Sequence, residues 1–138
     1  MKKRILLTAF ATVLFAQAAH AEIAVVVHPS NNNALDEATI SKIYLGREKS
    51  FADGTSVIPV SQGETAPVTA QFNDKVLKKT GSQLKAYWSK LVFTGKGTPP
   101  KEATSDEDVM NLVSSNPSLV GYVDASKVNS SVKVILKF

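Results

Sequence analysis

Cysteine is missing from all 138 residues, which excludes a disulfide scaffold, a thiol nucleophile and the cysteine-ligated zinc and iron–sulfur sites. Aromatic residues are scarce at 7%, with one tryptophan, and histidine occurs only twice. Of the two histidines only His28 lies beyond residue 21, and one imidazole without a thiolate falls short of the ligand set of a catalytic zinc. No G-x-S-x-G segment is present to activate a serine beside it, so His28 reads as a strand-end residue. Charge of one sign is not concentrated either. The formal charge is +4, but Lys2, Lys3 and Arg4 supply three of the 16 basic side chains, and the remaining 13 face 12 acidic ones. Lys75, Lys78 and Lys79 form the one basic cluster, and their spacing is that of a solvated helix face. A nucleic-acid binder carries a concentrated basic surface, so nucleic acid is disfavoured as a partner.

What is present begins with a three-part leader. Met1-Lys2-Lys3-Arg4 is basic, residues 5–16 are apolar, and Gln17-Ala18-Ala19-His20-Ala21 ends with small residues on either side of His20. The apolar run is shorter than the about 20 residues that span a bilayer. This is the pattern of a secretory signal peptide with Ala19-His20-Ala21 as its cleavage site. The expectation is a signal peptide over 1–21, export to the periplasm, and a mature domain over 22–138. A hydrophobic content of 43% suits a globular chain, and the length suits a single domain.

Within that domain, Ile23-Ala24-Val25-Val26-Val27-His28 is an almost continuous β-branched run, as in a strand covered on both faces of a parallel or mixed sheet. Leu35, Ile40, Ile43 and Tyr44 define a short amphipathic helix with Asp36 and Glu37 at its positive end and Gly46 closing it. Val57-Ile58-Pro59-Val60 predicts a second strand, whose proline points to an edge or a strand start. Pro67 reads as the first turn of a helix capped by Thr65 or Ala66, with Val68, Phe72 and Val76 inward and Gly81 at its end. The next helix opens at Ser82 and aligns Leu84, Trp88, Leu91 and Val92. Residues 94–104 read as a loop. Ser105 then caps a helix with Asp106, Glu107 and Asp108 in its first turn and Val109, Leu112 and Val113 inward. Leu119-Val120-Gly121-Tyr122-Val123 and Val132-Lys133-Val134-Ile135-Leu136 are the last strands, the second alternating so that one face is wet. Trp88 and Tyr122 read as core residues. The class is α/β, in one domain without repeat or linker.

No catalytic group, metal site or cofactor emerges. The carboxylates of Asp106, Glu107 and Asp108 are adjacent on a helix and do not converge, so they compensate the dipole. Thr94-Gly95-Lys96-Gly97-Thr98 lacks the upstream glycine and the G-K-[ST] order of a phosphate loop. One junction is a candidate ligand site: Ser61-Gln62-Gly63-Glu64-Thr65, between a strand and the helix that starts at Pro67. Such a turn presents free N–H groups and a positive dipole end to an anion, with the hydroxyls of Ser61 and Thr65 as further donors. The competing reading is that Thr65 caps the helix and Glu64 already supplies the negative charge.

Ile40-Ser41-Lys42-Ile43-Tyr44-Leu45-Gly46, Phe51-Ala52-Asp53-Gly54-Thr55 and Val57-Ile58-Pro59-Val60 resemble one lobe of the phosphate-binding proteins of ABC importers. The segments 87–97 and Leu119-Val120-Gly121-Tyr122-Val123 extend that resemblance over essentially the whole mature chain. It implies a single three-layer lobe like that of a type 2 periplasmic binding protein, with a short mixed β-sheet flanked by helices. It also implies a non-enzymatic, solute-binding-like function for phosphate or another small oxyanion. The family's anion loop reads R-x-D-G-S-G-T. Aligned on Phe72, Glu64 takes the acidic position, while Ala66, Pro67 and Val68 replace Ser, Gly and Thr, and Thr69 stands where short relatives carry arginine. Arginine's rigid fork is what makes phosphate capture tight. Two functions therefore follow: an oxyanion-binding module using residues 61–65, or a receptor lobe repurposed to dock on a membrane transporter, a sensor protein or another copy of itself.

Overall fold

The computed structural model describes residues 22–138, so the leader expected over 1–21 lies outside the described residues. Five strands form one mixed sheet: β1 (Ile23–Val27), β2 (Ile58–Gln62), β3 (Lys101–Ala103), β4 (Leu119–Asp124) and β5 (Lys133–Lys137), in the order β3-β2-β4-β1-β5. β2 runs parallel to β3 and β4, and β1 runs antiparallel to β4 and β5. All five residues of β1 are buried. Ile23, Val25 and Val27 pack on one side of the sheet, and Ala24 and Val26 on the other. A strand that must satisfy two apolar faces has no use for polar alternation, which is why this run reads as continuously hydrophobic.

The sheet is thus the middle of three layers. One side carries α1 (Glu37–Tyr44), α2 (Pro67–Phe72) with the π-helical turn Asn73–Leu77 that continues it, and α3 (Gly81–Phe93); the other carries α4 (Asp106–Ser115). Asp36 caps α1 by accepting from the Thr39 N–H at 2.8 Å, and Gly46, at φ +72°, turns the chain away after it. Ser105 caps α4 through the Asp108 N–H, and the Asp108 carboxylate reaches back to the Thr104 N–H at 2.8 Å. Gly121 lets α4 lie close on β4, because a Cβ there would stand 2.4 Å from Val109 Cγ1.

Several boundaries differ from expectation. The second helix does not run to Gly81. It ends in the π-helical turn, with Lys78 in the left-handed region at φ 54°. Gly81 instead opens α3, because Thr80 and Gln83 form a reciprocal capping box ahead of it. The segment 94–104 is not all loop, since β3 lies within it and forms the sheet's edge. Pro59 sits in an internal strand but near its start. The Ile58 N–H points to Ser118 on the β4 side, so the Pro59 nitrogen faces the other way, where pairing with β3 begins only at Val60. β5 has no wet face. A bulge opposite Val25 and Val26 turns Ile135 and Leu136 toward one layer and Val134 toward the other.

The Gly121 contact makes a direct prediction. Gly121→Ala forces α4 off β4 and destabilises the fold by about 1–3 kcal/mol, the range for overpacking a close-packed interior. Chemical denaturation reads this as a lower midpoint at an unchanged slope, and an unchanged midpoint would show that the interface can give way without cost.

Candidate functional site

At their carboxyl ends β2 and β4 part. Their ladder pairs only Ile58 with Leu119 and Pro59 with Val120. Beyond it, side chains take over the bridging. The Tyr44 hydroxyl, delivered from the last turn of α1, donates to Val60 O at 2.7 Å and contacts Val120 O at 3.3 Å. The Gln62 N–H donates to the Tyr122 hydroxyl at 3.0 Å, which also meets Thr69 Oγ1 at 3.1 Å. Thr69 in turn donates to Gln62 O at 3.2 Å. Gln62 Nε2 donates to Asp106 Oδ1 at 2.6 Å and to Tyr122 O at 3.2 Å, and Asp106 Oδ1 also accepts from the Asp124 N–H. The Phe72 ring stacks on Tyr122 with centroids 4.0 Å apart, and Tyr44 meets Phe72 edge-on at 4.7 Å.

This wedge is the floor of a groove of about 620 Å³ between the β2–β3 edge and α3. One wall carries Glu64 and Glu102, and the other, from α3, carries Lys85, Trp88 and Ser89. At the far end of α3, Val92 and Phe93 stand 53% and 92% exposed on the rim. The only arginine beyond the leader, Arg47, lies after α1 and is not among the groove's lining residues.

The candidate residues separate in three dimensions. Ser61, Gln62 and Glu64 line the groove, whereas Gly63 and Thr65 do not. Ser61 and Gln62 belong to β2 rather than to a turn. Gln62 is buried, and its amide nitrogen is already committed to Asp106 and Tyr122. Thr65 is exposed and does not cap α2. The cap position is Ala66, which has no side chain to bond the helix N–H groups. The Glu64 and Thr65 N–H groups take no part in the hydrogen bonds found among the described residues. Tyr122 is both core and groove floor, and Trp88 is half-buried in the wall rather than in the core. α3, expected to bury one stripe, has no fully buried residue. Phe93 was the available signal, because it falls on the side of α3 opposite Leu84 and cannot follow the same buried stripe.

Comparison with solved structures identifies the architecture. The chain matches a phosphate ABC transporter substrate-binding protein with bound phosphate from Clostridium perfringens at 19% identity and a TM-score of 0.66, over 83% of this chain and 45% of that one. An ABC-type phosphate transport receptor from Vibrio cholerae matches at 19% identity and a TM-score of 0.56, over 83% and 46%. PstS from Borrelia burgdorferi matches at 13% and 0.60, over 83% and 47%. The fold is like that of one lobe of these phosphate-binding structures. At these identities the likeness is one of fold, and the chain spans about half the length of each of these structures. No family model and no curated protein matches the sequence. Among the described residues no helix is long and apolar enough to cross a membrane, and no group of three or more potential ligands could hold a metal ion.

Within this lobe the wedge has an electrostatic signature. Burial pushes the Tyr44 phenol well above its ordinary value near 10, with the neighbouring Tyr122 adding to the effect. Burial raises Tyr122 as well, against the opposing hydrogen bonds from Thr69 and Gln62. A phenol whose folded-state value is raised contributes stability that is complete below its unfolded value and is lost as the pH climbs past it. Wild-type protein therefore loses stability above about pH 10 more steeply than Tyr44→Phe does. Denaturation midpoints for the two proteins between about pH 8 and pH 11 read this directly, and parallel curves would remove the tyrosines from the alkaline transition.

Proposed function

We propose that this chain is an exported, non-catalytic binding lobe whose groove takes the apolar, cation-edged surface of a protein partner rather than a small oxyanion. The observation that carries the reading is the chemistry of the groove wall. Glu64 and Glu102 stand where an anion would have to approach, and the one arginine beyond the leader is elsewhere. Two carboxylates repel a dianion, while the aromatic floor and the exposed Val92 and Phe93 favour apolar contact. The groove also opens at the carboxyl ends of parallel strands, which is where α/β folds generally bind. The leader pattern supports export to the periplasm, and the names of the solved neighbours support an ABC transporter as a class of partner.

A second reading has its own support. The Glu64 and Thr65 N–H groups are unpaired among the described residues and lie just ahead of α2, and the neighbour from Clostridium perfringens holds phosphate. In that reading Ser61, Gln62, Gly63, Glu64 and Thr65 hold a small oxyanion. Thermal unfolding with about 1 mM phosphate separates the two. A micromolar ligand in about thousandfold excess adds about 4 kcal/mol and raises the midpoint by more than about 10 °C. The expected result is a shift within about 1 °C, from phosphate and sulfate alike. A phosphate shift of the larger size, abolished by Thr65→Asp, would overturn the proposed function in favour of the anion site.

A further inference from the structure

We propose that the groove's occupant is α3 of a second copy of this chain, so that two copies pack α3 against groove in a two-fold dimer. The inference rests on the groove being the binding surface proposed above and names its partner. α3 is a well-made helix, closed at its start by the Thr80–Gln83 capping box, yet none of its residues is buried. Its sequence, GSQLKAYWSKLVF, carries Lys85 and Lys90 and no acidic residue, and of the two lysines Lys85 lines the groove. The facing wall of the groove presents Glu64 and Glu102. Among the described residues the one ion pair is Lys78 with Glu37, so these four charges are without ionic partners within the chain.

A wall that carries Lys85 and a wall that carries Glu64 and Glu102, with an aromatic floor between them, form a self-complementary patch. Rotation by a two-fold axis sets Lys85 of each copy against the glutamates of the other, and every contact occurs twice. The exposed Phe93 supplies the apolar anchor. Its ring is held at the groove's rim by its own helix and has no place in its own core. An unrelated anionic or purely apolar ligand would satisfy one wall and leave the other unmatched, whereas a second copy satisfies both.

The test is sedimentation equilibrium on the protein as recovered from expressing cells. Wild type is expected to dimerise with a Kd on the order of 10 µM, and Phe93→Asp raises that Kd at least about a hundredfold. The Phe93 side chain is exposed, so the thermal midpoint of the variant monomer stays that of wild type. Glu102→Lys and Lys85→Glu each prevent self-association, because each homodimer then opposes like charges twice. Mixed in equal amounts, the two variants form a heterodimer in which both contacts are again opposite in sign. A wild type that stays monomeric up to about 0.5 mM overturns the inference, as does a Phe93→Asp protein that still dimerises, or a mixture that stays monomeric. A monomer that ignores phosphate removes only the second copy as partner, whereas a monomer stabilised by phosphate removes the proposed function as well.

Discussion

The separation of β2 from β4 is the constraint on which the rest of this structure depends. Two parallel strands that part after two paired residues leave backbone N–H and C=O groups facing a gap inside the protein, and each must find a partner. Tyr44, Tyr122, Thr69 and Gln62 provide those partners from four different elements. Polar atoms at the tips of large rings can do this because the rings themselves fill the gap, and Phe72 closes the remaining space by stacking on Tyr122. The same insertion holds α1, α2 and the sheet in register and sets the floor of the groove. Asp106 ties the second layer into it, accepting from Gln62 and from the backbone of β4 at once.

That floor explains why the fold and its ligand chemistry separate so cleanly. The lobe is similar in fold to half of a phosphate receptor, but a fold is a scaffold on which sites are installed residue by residue. Here the strand end is closed by an internal network, with Gln62 directed inward, and the helix that follows begins at Ala66 and Pro67 without a hydroxyl at its cap. The groove that remains is apolar below and of opposite charge on its two walls. The proposed function follows from that arrangement, since an extended partner can meet both walls together.

Much of the scaffold was legible along the chain. β1 announced itself by five consecutive apolar residues, α1 by Asp36, and α4 by Ser105 with three acids after it. In each case the cause lies within a few residues: a cap, a dipole, a strand covered twice. Elements were misread where the cause lay elsewhere. Thr80 and Gln83 already formed a legible capping box, but Gly81 suggested a helix end more loudly than the box suggested a start. β3 escaped because three residues with two charges, Lys101 and Glu102, become a strand only when β2 offers an edge to pair with. The bulge that turns Ile135 and Leu136 to the same side depends on β1 in the same way.

Within the candidate site, residues 61–65 were found because a strand-to-helix junction is a local pattern, but which of them face the groove depends on the strand's pleat and its neighbours. The sequence by itself determined the α/β class, the strands and helices with strong local signals, the absence of thiol chemistry, and the resemblance to phosphate receptors. Only the tertiary structure decided that Gln62 turns inward, that Glu102 joins Glu64 on one wall, and that α3 stays uncovered. The physical reason is that composition, capping and hydrophobic period act over a few residues, whereas burial and hydrogen bonding are set by groups brought together from far along the chain, 76 positions apart for Tyr44 and Val120.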